Sequence, residues 1–301
     1  MRTTGVTSGR AMGGCEPCLV HPAFCQYGDP GAAGPVVIAV PHAGREYPAD
    51  LIARARVGLQ GLQSLEDRHA DLLATDAVAA GHCTVIARRG RAVLDLNRQE
   101  GEIDGASVAD LPHGVPMRAT AKLRGGLGLV PHRYHSIGDL WLRRPSYEEV
   151  VARIRDIHTP YHGRIAGLLE ETRSIHGMAI LIDLHSMPPI RGQGGPVDVV
   201  LGDRFGQSAS AAITRRAAEI VADHGFSVAI NAPYAGGYTL ERHGRPNRHV
   251  HALQVEVDRS LYLDTALMEP DVGAARCIRM IADLAERLAA SFGEQQPLAA
   301  E

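Results

Sequence analysis

The feature of this sequence that most limits its fold is a series of short, almost continuously apolar runs separated by helical patterns. The clearest runs are residues 35–40, 178–184 and 251–257. A strand that is apolar at nearly every position must be covered on both faces, as in parallel sheets between helix layers. Apolar residues at helical spacing fill much of the sequence between the runs. The alternation predicts an α/β fold, a three-layer sandwich with a central, mostly parallel mixed sheet.

Weaker signals complete the predicted order of elements. Further strands are predicted at 83–87, 92–96, 197–201 and 226–230, and helices at 70–80, 146–175, 207–224 and 271–290. Ser146 followed by Glu149 is typical of a capping box at a helix start, and Gly177 of a helix end. We therefore expect a flexible leader over residues 1–34 and a single catalytic domain over 35–295. Residues 99–145, rich in Gly, Pro and His, form a long loop excursion in that domain.

Charge and hydropathy exclude several classes of partner. The net charge is −3, so no basic footprint for nucleic acid is expected. No apolar run approaches the roughly 18–20 residues that a membrane span needs. The first residues lack the apolar stretch of a secretory signal, so a cytoplasmic protein is expected. Nothing in the sequence indicates an oligomeric state.

The five cysteines are too uneven for a disulfide framework. Cys15, Cys18, His21 and Cys25 have the close spacing of a small zinc knuckle. The surrounding Gly, Pro and Ala residues offer little to fold around such a site. Reduced thiols in a flexible leader are the favoured interpretation, and the role of these cysteines stays open.

Candidate site residues follow the apolar runs. His42, His185 and Glu256 come at or near the ends of three predicted strands. The carboxyl ends of strands in such sheets border the binding crevice, so these side chains can converge. Asp183 shares a strand face with His185 and can fix the tautomer of a metal-binding imidazole. Together the two histidines favour a metal site with dispersed ligands.

Other acidic and amide side chains leave alternatives open. Glu46, Glu66 and Asp67 are all candidates for a third metal ligand. The Asn97-Arg98 pair can bind a substrate carboxylate or belong to a surface salt bridge. Glu256 lies between valines, where a charge is costly without a partner or a role, although the following Asp258 and Arg259 offer an ion-pair explanation.

Five motifs, in order, resemble those of the N-formylglutamate amidohydrolase family. They are residues 40–44, 95–98, 183–186, 236–239 and 251–256, and the resemblance spans about 36–263. The family is similar, more distantly, to zinc carboxypeptidases and aspartoacylases, which implies a phosphorylase/hydrolase-like sandwich.

The resemblance implies roles for particular residues. The zinc ligands would be His42, Asp67 and His185, with Glu46 and Glu66 in reserve for the acidic position. Glu256 would be the general acid/base of the reaction. Asn97 and Arg98 would hold the substrate carboxylate, and Asp183 would support His185.

The implied activity is zinc-dependent hydrolysis of the amide of an N-formyl or other N-acyl amino acid, with N-formyl-L-glutamate as the preferred substrate. The alternatives are a deacylase, peptidase or amidase acting on another N-acyl amino acid or peptide, and a non-enzymatic zinc-binding protein of the same fold. One position departs from the family pattern, because Ala235 stands where a lysine often precedes the Gly-Gly pair. If that lysine binds the second carboxylate of glutamate, this substitution counts against the glutamate side chain.

Overall fold

An eight-stranded mixed sheet lies at the centre of the protein in a computed structural model that describes residues 12–190 and 195–292. Along the chain the sheet strands are β1 (Leu19–Val20), β2 (Phe24–Tyr27), β3 (Val36–Val40), β4 (Cys83–Ala87), β7 (Ala179–Met187), β8 (Val199–Gly202), β9 (Val228–Ile230) and β10 (Val250–Asp258). A separate hairpin consists of β5 (Arg133–Tyr134) and β6 (Gly138–Asp139). The spatial order is β1-β2-β4-β3-β7-β10-β8-β9.

The central strands run parallel. Parallel pairing joins β4 to β3, β3 to β7 and β7 to β10, and it also joins β8 to β9. The antiparallel pairs are β1 with β2, β2 with β4, and β10 with β8. The predicted mostly parallel mixed sheet is therefore confirmed, and it directs the carboxyl ends of β3, β7 and β10 to one edge.

Helices cover both faces of this sheet. The α-helices are α1 (Ala49–Arg54), α2 (Gly58–Gln63), α3 (Thr75–Ala79), α4 (Ala121–Arg124), α5 (Tyr147–Arg153), α6 (Thr159–His176), α7 (Ala211–Asp223), α8 (Tyr238–His243) and α9 (Ala274–Phe292). A π-helical turn, Ile154–His158, joins α5 to α6, and 3₁₀ turns occur at Ala70–Ala74, Pro246–Arg248 and Arg259–Leu261. None of the helices in the described ranges is long and apolar enough to cross a membrane.

Strand alternation divides the core into two layers. On β3, Val36, Ile38 and Val40 pack in the cluster that contains α7 and α9. Val37 and Ala39 point the other way, into the cluster that contains α6. Because every residue of β3 is buried, its apolar character at each position follows from burial on both faces.

The predicted signals at both ends of the long helical region are confirmed. Glu149 N donates to Ser146 Oγ at 3.1 Å, and Ser146 N donates to Glu149 Oε2 at 2.8 Å, which completes the capping box. Gly177 ends α6 in the left-handed conformation, with φ at 75°. That value suits glycine because it has no Cβ to collide with the backbone.

Two sequence predictions are wrong. Residues 92–96 form turns rather than a strand, because Val93 and Leu94 pack beneath the excursion instead of extending the sheet. The flexible leader is wrong for residues 19–27, since β1 and β2 pair there and β2 continues onto β4. Phe24, Cys25 and Tyr27 are buried by this pairing. Residues 1–11 lie outside the described part of the chain.

Residues 99–145 run over the carboxyl edge of the sheet. They contain α4 and the β5–β6 hairpin, joined by turns and irregular segments. The excursion is tied to the segment before it, since Asp95 N donates to Leu129 O at 2.8 Å, and Leu129 N donates in turn to Glu102 O within the excursion at 2.8 Å. The segment that carries Asn97 and Arg98 is thereby held against the excursion.

Candidate active site

Side chains from β3, β7 and β10 converge at the carboxyl edge of the sheet. His42 follows β3 directly, and His185 lies near the end of β7. Glu256 stands opposite His185 in the parallel register of β10 and β7. All three are buried and line one cavity of about 450 Å³. The convergence predicted from the strand ends is therefore observed.

Asp67 completes a group of three potential metal donors. Its Oδ2 lies 2.9 Å from His185 Nδ1 and 3.4 Å from His42 Nδ1. One ligand atom from each residue lies within 4.8 Å of the other two, and among the described residues this is the one such group of His, Cys, Asp or Glu. His42 Nδ1 is buried without a hydrogen-bond partner in the described part of the chain. A buried, unpaired nitrogen facing a carboxylate and a second imidazole fits a metal ion.

The outer ring nitrogens of both histidines meet carboxylates. His42 Nε2 lies 2.7 Å from Asp95 Oδ1, and His185 Nε2 lies 3.0 Å from Asp183 Oδ2. A proton on each Nε2 leaves the Nδ1 lone pair free for a metal. Asp183 was predicted in this position. Asp95 was not, although it belongs to one of the five motifs.

The structure separates the three candidates for the acidic ligand. Glu46 pairs with Arg88, at 2.8 Å, and with Arg89. Glu66 accepts hydrogen bonds from Tyr47 and Arg68. Neither carboxylate belongs to the donor group, which contains Asp67 alone of the three.

Asp67 is held as an anion. Burial by itself would raise the pKa of Asp67, but the imidazoles of His185 and His42 beside it hold that pKa well below its usual range. Its second oxygen, Oδ1, accepts a hydrogen bond from Arg259 Nη2 at 2.9 Å. Arg259 thus pairs with the candidate metal ligand, and sequence reasoning considered it only as a partner for Glu256.

Glu256 is positioned by a neighbour on its own strand face. Gln254 Nε2 donates to Glu256 Oε1 at 2.8 Å, and Gly237 N donates to Gln254 Oε1 at 3.1 Å. Burial raises the pKa of Glu256, and the nearby His185 partly offsets that effect. The two-residue spacing of Gln254 and Glu256 on one strand is the feature of the sequence that indicates this contact.

The Gly-Gly motif brings Asn97 into the site. Asn97 Oδ1 accepts a hydrogen bond from Thr239 N at 2.9 Å, which turns Nδ2 toward His185, 3.3 Å away. A Cβ at Gly237 would lie 2.4 Å from Asn97 Oδ1, so only glycine allows this close approach. Since His185 Nε2 donates to Asp183, the Asn97 amide contacts the ring without bonding to it.

Arg98 also lines the cavity, held by three oxygen atoms. Its Nε donates to Leu127 O at 2.9 Å, Nη1 donates to Asn97 O at 2.8 Å, and Asp95 Oδ2 is 3.7 Å from Nε. Within the described ranges, no hydrogen-bond partner contacts Nη2, which is thus available to a ligand. The predicted carboxylate-binding pair therefore lies beside the metal donors.

Comparison with known proteins places this site in a family. The family model described as N-formylglutamate amidohydrolase matches residues 34–263, which is most of the chain. The chain belongs to the N-formylglutamate amidohydrolase family. An N-formylglutamate deformylase of Pseudomonas aeruginosa is 30% identical over 240 residues, covering 76% of this chain and 82% of that protein. A Pseudomonas putida protein of the same name is 30% identical over 244 residues, with the same coverage.

Solved structures agree with this membership. A crystal structure titled N-formylglutamate amidohydrolase, from Ralstonia eutropha, is 30% identical, with a TM-score of 0.83 over 90% of this chain and 98% of that chain. A gene product of Agrobacterium tumefaciens, 18% identical with a TM-score of 0.58 over 90% and 96%, shares the fold. As a member of an amidohydrolase family, the chain is a hydrolase of an amide other than a peptide bond.

All five motifs behind the sequence resemblance lie within the matched range. Four of them contribute the residues described above: His42 from the first, Asp95, Asn97 and Arg98 from the second, Asp183 and His185 from the third, and Gln254 and Glu256 from the fifth. The Gly-Gly motif acts mainly through its backbone. Ala235 lines the cavity just before that motif. Lys122 and Arg91 line it as well, and neither was among the predicted site residues.

Proposed function

We propose that the chain hydrolyses N-formyl-L-glutamate to L-glutamate and formate in a zinc-dependent reaction. The observation that carries this proposal is the meeting of His42, Asp67 and His185 beside Glu256 in a cavity that also contains Arg98. The names of the relatives at 30% identity support the choice of substrate.

Zinc is the metal that this donor set fits. Two imidazole nitrogens and one carboxylate oxygen, with a position left for substrate or water, are typical of catalytic zinc sites. When bound, zinc would lower the pKa of water toward about 7 and polarise the carbonyl of the amide.

Glu256 moves the proton in the proposed reaction. Gln254 occupies Oε1, and Oε2 has no hydrogen-bond partner among the described residues, so Oε2 can accept a proton from the attacking water. The water oxygen forms a bond to the formyl carbon and the C–N bond breaks. Glu256 then gives the proton to the departing nitrogen, which becomes the amino group of glutamate.

Arg98 and Asn97 orient the substrate. The free Nη2 of Arg98 can donate to a carboxylate on the amino-acid part, and Asn97 Nδ2 is directed into the same space. Because Asn97 contacts His185, a carboxylate held there keeps the formamide close to the metal donors. Such placement contributes to rate by fixing the reacting groups in one geometry.

Formate release by purified protein tests this proposal. We expect release from N-formyl-L-glutamate with zinc present and loss of release after chelation. Glu256→Gln should retain bound zinc, because Glu256 lies outside the donor group, while kcat falls by about 10²–10⁴-fold.

Activity retained in Glu256→Gln would remove Glu256 from this role. A zinc-loaded wild-type protein that releases no formate would rule out the substrate, and a panel of other N-acyl amino acids and short peptides would then identify the reaction.

A further inference from the structure

The cavity carries more positive charge than its candidate metal donors require. Six charged side chains other than histidine line it: the cations Arg91, Arg98, Lys122 and Arg259, and the carboxylates of Asp67 and Glu256. A divalent metal would add to the positive side. A cavity with this balance favours an anionic ligand.

Existing contacts account for two of the four cations. Arg259 bonds to Asp67 at 2.9 Å. Arg91 Nε bonds to the buried Asp95 at 2.8 Å. Arg98 is 3.7 Å from the same Asp95 oxygen and keeps Nη2 available. Lys122 has no carboxylate within 4 Å of its ammonium in the described part of the chain.

Lys122 is fixed relative to Arg98 by the backbone of the excursion. Thr120, which precedes α4, accepts a hydrogen bond from Leu123 N at 3.1 Å and donates to Glu102 at 2.7 Å. After the helix, Leu127 N donates to Lys122 O at 2.9 Å, and Leu127 O accepts from Arg98 Nε at 2.9 Å. Leu127 thus bonds to both residues, so hydrogen bonds hold the Lys122 backbone in place relative to the Arg98 guanidinium.

From this placement we infer that Lys122 and Arg98 form a subsite for two carboxylates, in which Lys122 binds the side-chain carboxylate of an N-acyl acidic amino acid. The inference rests on the proposed function, in which Arg98 binds a carboxylate of the amino-acid part, and it assigns the α-carboxylate to Arg98. The excursion then determines which amino acid is accepted, while the sheet edge carries out hydrolysis.

The charge environment of Lys122 supports this role. Burial lowers the pKa of Lys122, and the positive charges of Arg98 and Arg91 lower it further. Lys122, Arg98 and Arg91, three of the four cations that line the cavity, repel one another, and a bound anion would offset that repulsion. Lys122 is only partly withdrawn from solvent, and an anion can reach it through its exposed surface.

The test compares N-formyl-L-glutamate with N-formyl-L-glutamine, which has the same shape without the second charge. We expect Lys122→Met to reduce kcat/KM for the glutamate substrate by about 10–100-fold, mainly through KM, and to change that for the glutamine substrate by less than about threefold. Lys122→Arg should restore most of the preference. Arg124→Met, on the same helix and exposed, is the matched control and should keep the wild-type ratio.

Each outcome is decisive. An unchanged glutamate-to-glutamine ratio in Lys122→Met would overturn the subsite while leaving the proposed function intact. An equal loss on both substrates would also overturn it, because the lysine would then not distinguish the charge. No formate release from either substrate by wild-type protein would reject the proposed function, and the subsite with it.

Discussion

Histidines meet in two buried places within residues 12–190 and 195–292, and one of these two groups has the character of a metal site. The rings of His42 and His185 are 4.8 Å apart at the carboxyl edge of the sheet. Where the π-helical turn and α6 meet α8, the ring of His162 lies 4.5 Å from His158 and 5.3 Å from His243. All five side chains are buried, so neither proximity nor burial distinguishes the groups.

Their hydrogen-bond partners distinguish them. Carboxylates contact both nitrogens of His42 and of His185, and the two rings share that of Asp67. In the other group, His162 donates from Nε2 to Leu96 O at 2.9 Å and contacts His243 through Nδ1 at 3.0 Å, so both of its nitrogens are occupied. His158 donates from Nε2 to Arg98 O at 3.0 Å, and its Nδ1 lies 3.4 Å from Glu100, a carboxylate that contacts neither of the other two histidines in the described part of the chain. A carboxylate shared by two imidazoles thus prepares one group for a cation, whereas bonds to carbonyls make the other a brace for the backbone around Asn97.

Removing the shared carboxylate is expected to have the largest effect. Asp67→Asn replaces an anionic ligand by a neutral amide, so zinc content should fall and formate release should drop by at least about 10³-fold. Zinc per protein after dialysis and initial rates measure this. Glu46→Gln, the matched control, should keep its zinc, and the reverse pattern would make Glu46 the ligand.

A carboxylate behind the proposed metal ligands should matter less. Asp183→Asn leaves a hydrogen-bond acceptor beside His185 but removes the charge that raises the basicity of the ring. We expect zinc to bind about 10–100-fold more weakly. Competition with a chromogenic chelator gives the Kd. His243→Gln, in the other histidine group, should leave that Kd within about twofold, and an equal effect in both variants would remove the distinction between the groups.

The smallest effect expected is on stability in acid. Burial, followed by the charges of Arg242 and Arg245, lowers the pKa of His243 to about 3, so it is neutral in the folded protein. The unfolded chain takes up a proton below about pH 6.5, hence stability is complete above that pH and decreases as pH falls toward 3. Each such histidine contributes at most about 1.4 kcal/mol per pH unit in this window.

Urea unfolding of wild type and His243→Gln, at pH 7.5 and 5.5, isolates this contribution. Glutamine can donate the same hydrogen bond to His162 but does not titrate. The wild type should lose about 1 kcal/mol more than the variant between the two pH values. Equal losses would show that His243 does not remain neutral in the folded state.

The sequence predicts the sheet well because its signal is local. Every position of β3 is apolar because both faces of the strand are buried. The strand can therefore be predicted without knowing which distant residues pack against it. The same reasoning fails for residues 92–96, where Val93 and Leu94 are buried beneath the excursion, away from the sheet. An apolar run indicates that a segment is buried, but it does not indicate which part of the molecule covers that segment.

The site residues show the same difference between local contacts, which the sequence predicts, and contacts between distant residues, which it does not. His185 and Asp183 share a strand, so their contact follows from two-residue spacing. The bond between His42 and Asp95 joins residues 53 positions apart through a turn, and no local pattern predicts it. The position of Lys122 is harder still to predict from the sequence, because it depends on how the irregular segment 99–145 folds back toward Arg98.

The in-register pairing of His185 with Glu256 has a consequence for how such an enzyme changes over time. Both residues are carried by adjacent strands at the centre of the sheet, so the distance between them depends on strand spacing, which varies little. Lys122 is carried by a surface excursion, where substitutions and insertions are tolerated. Selection can therefore alter substrate preference through one segment while the reaction itself is inherited unchanged.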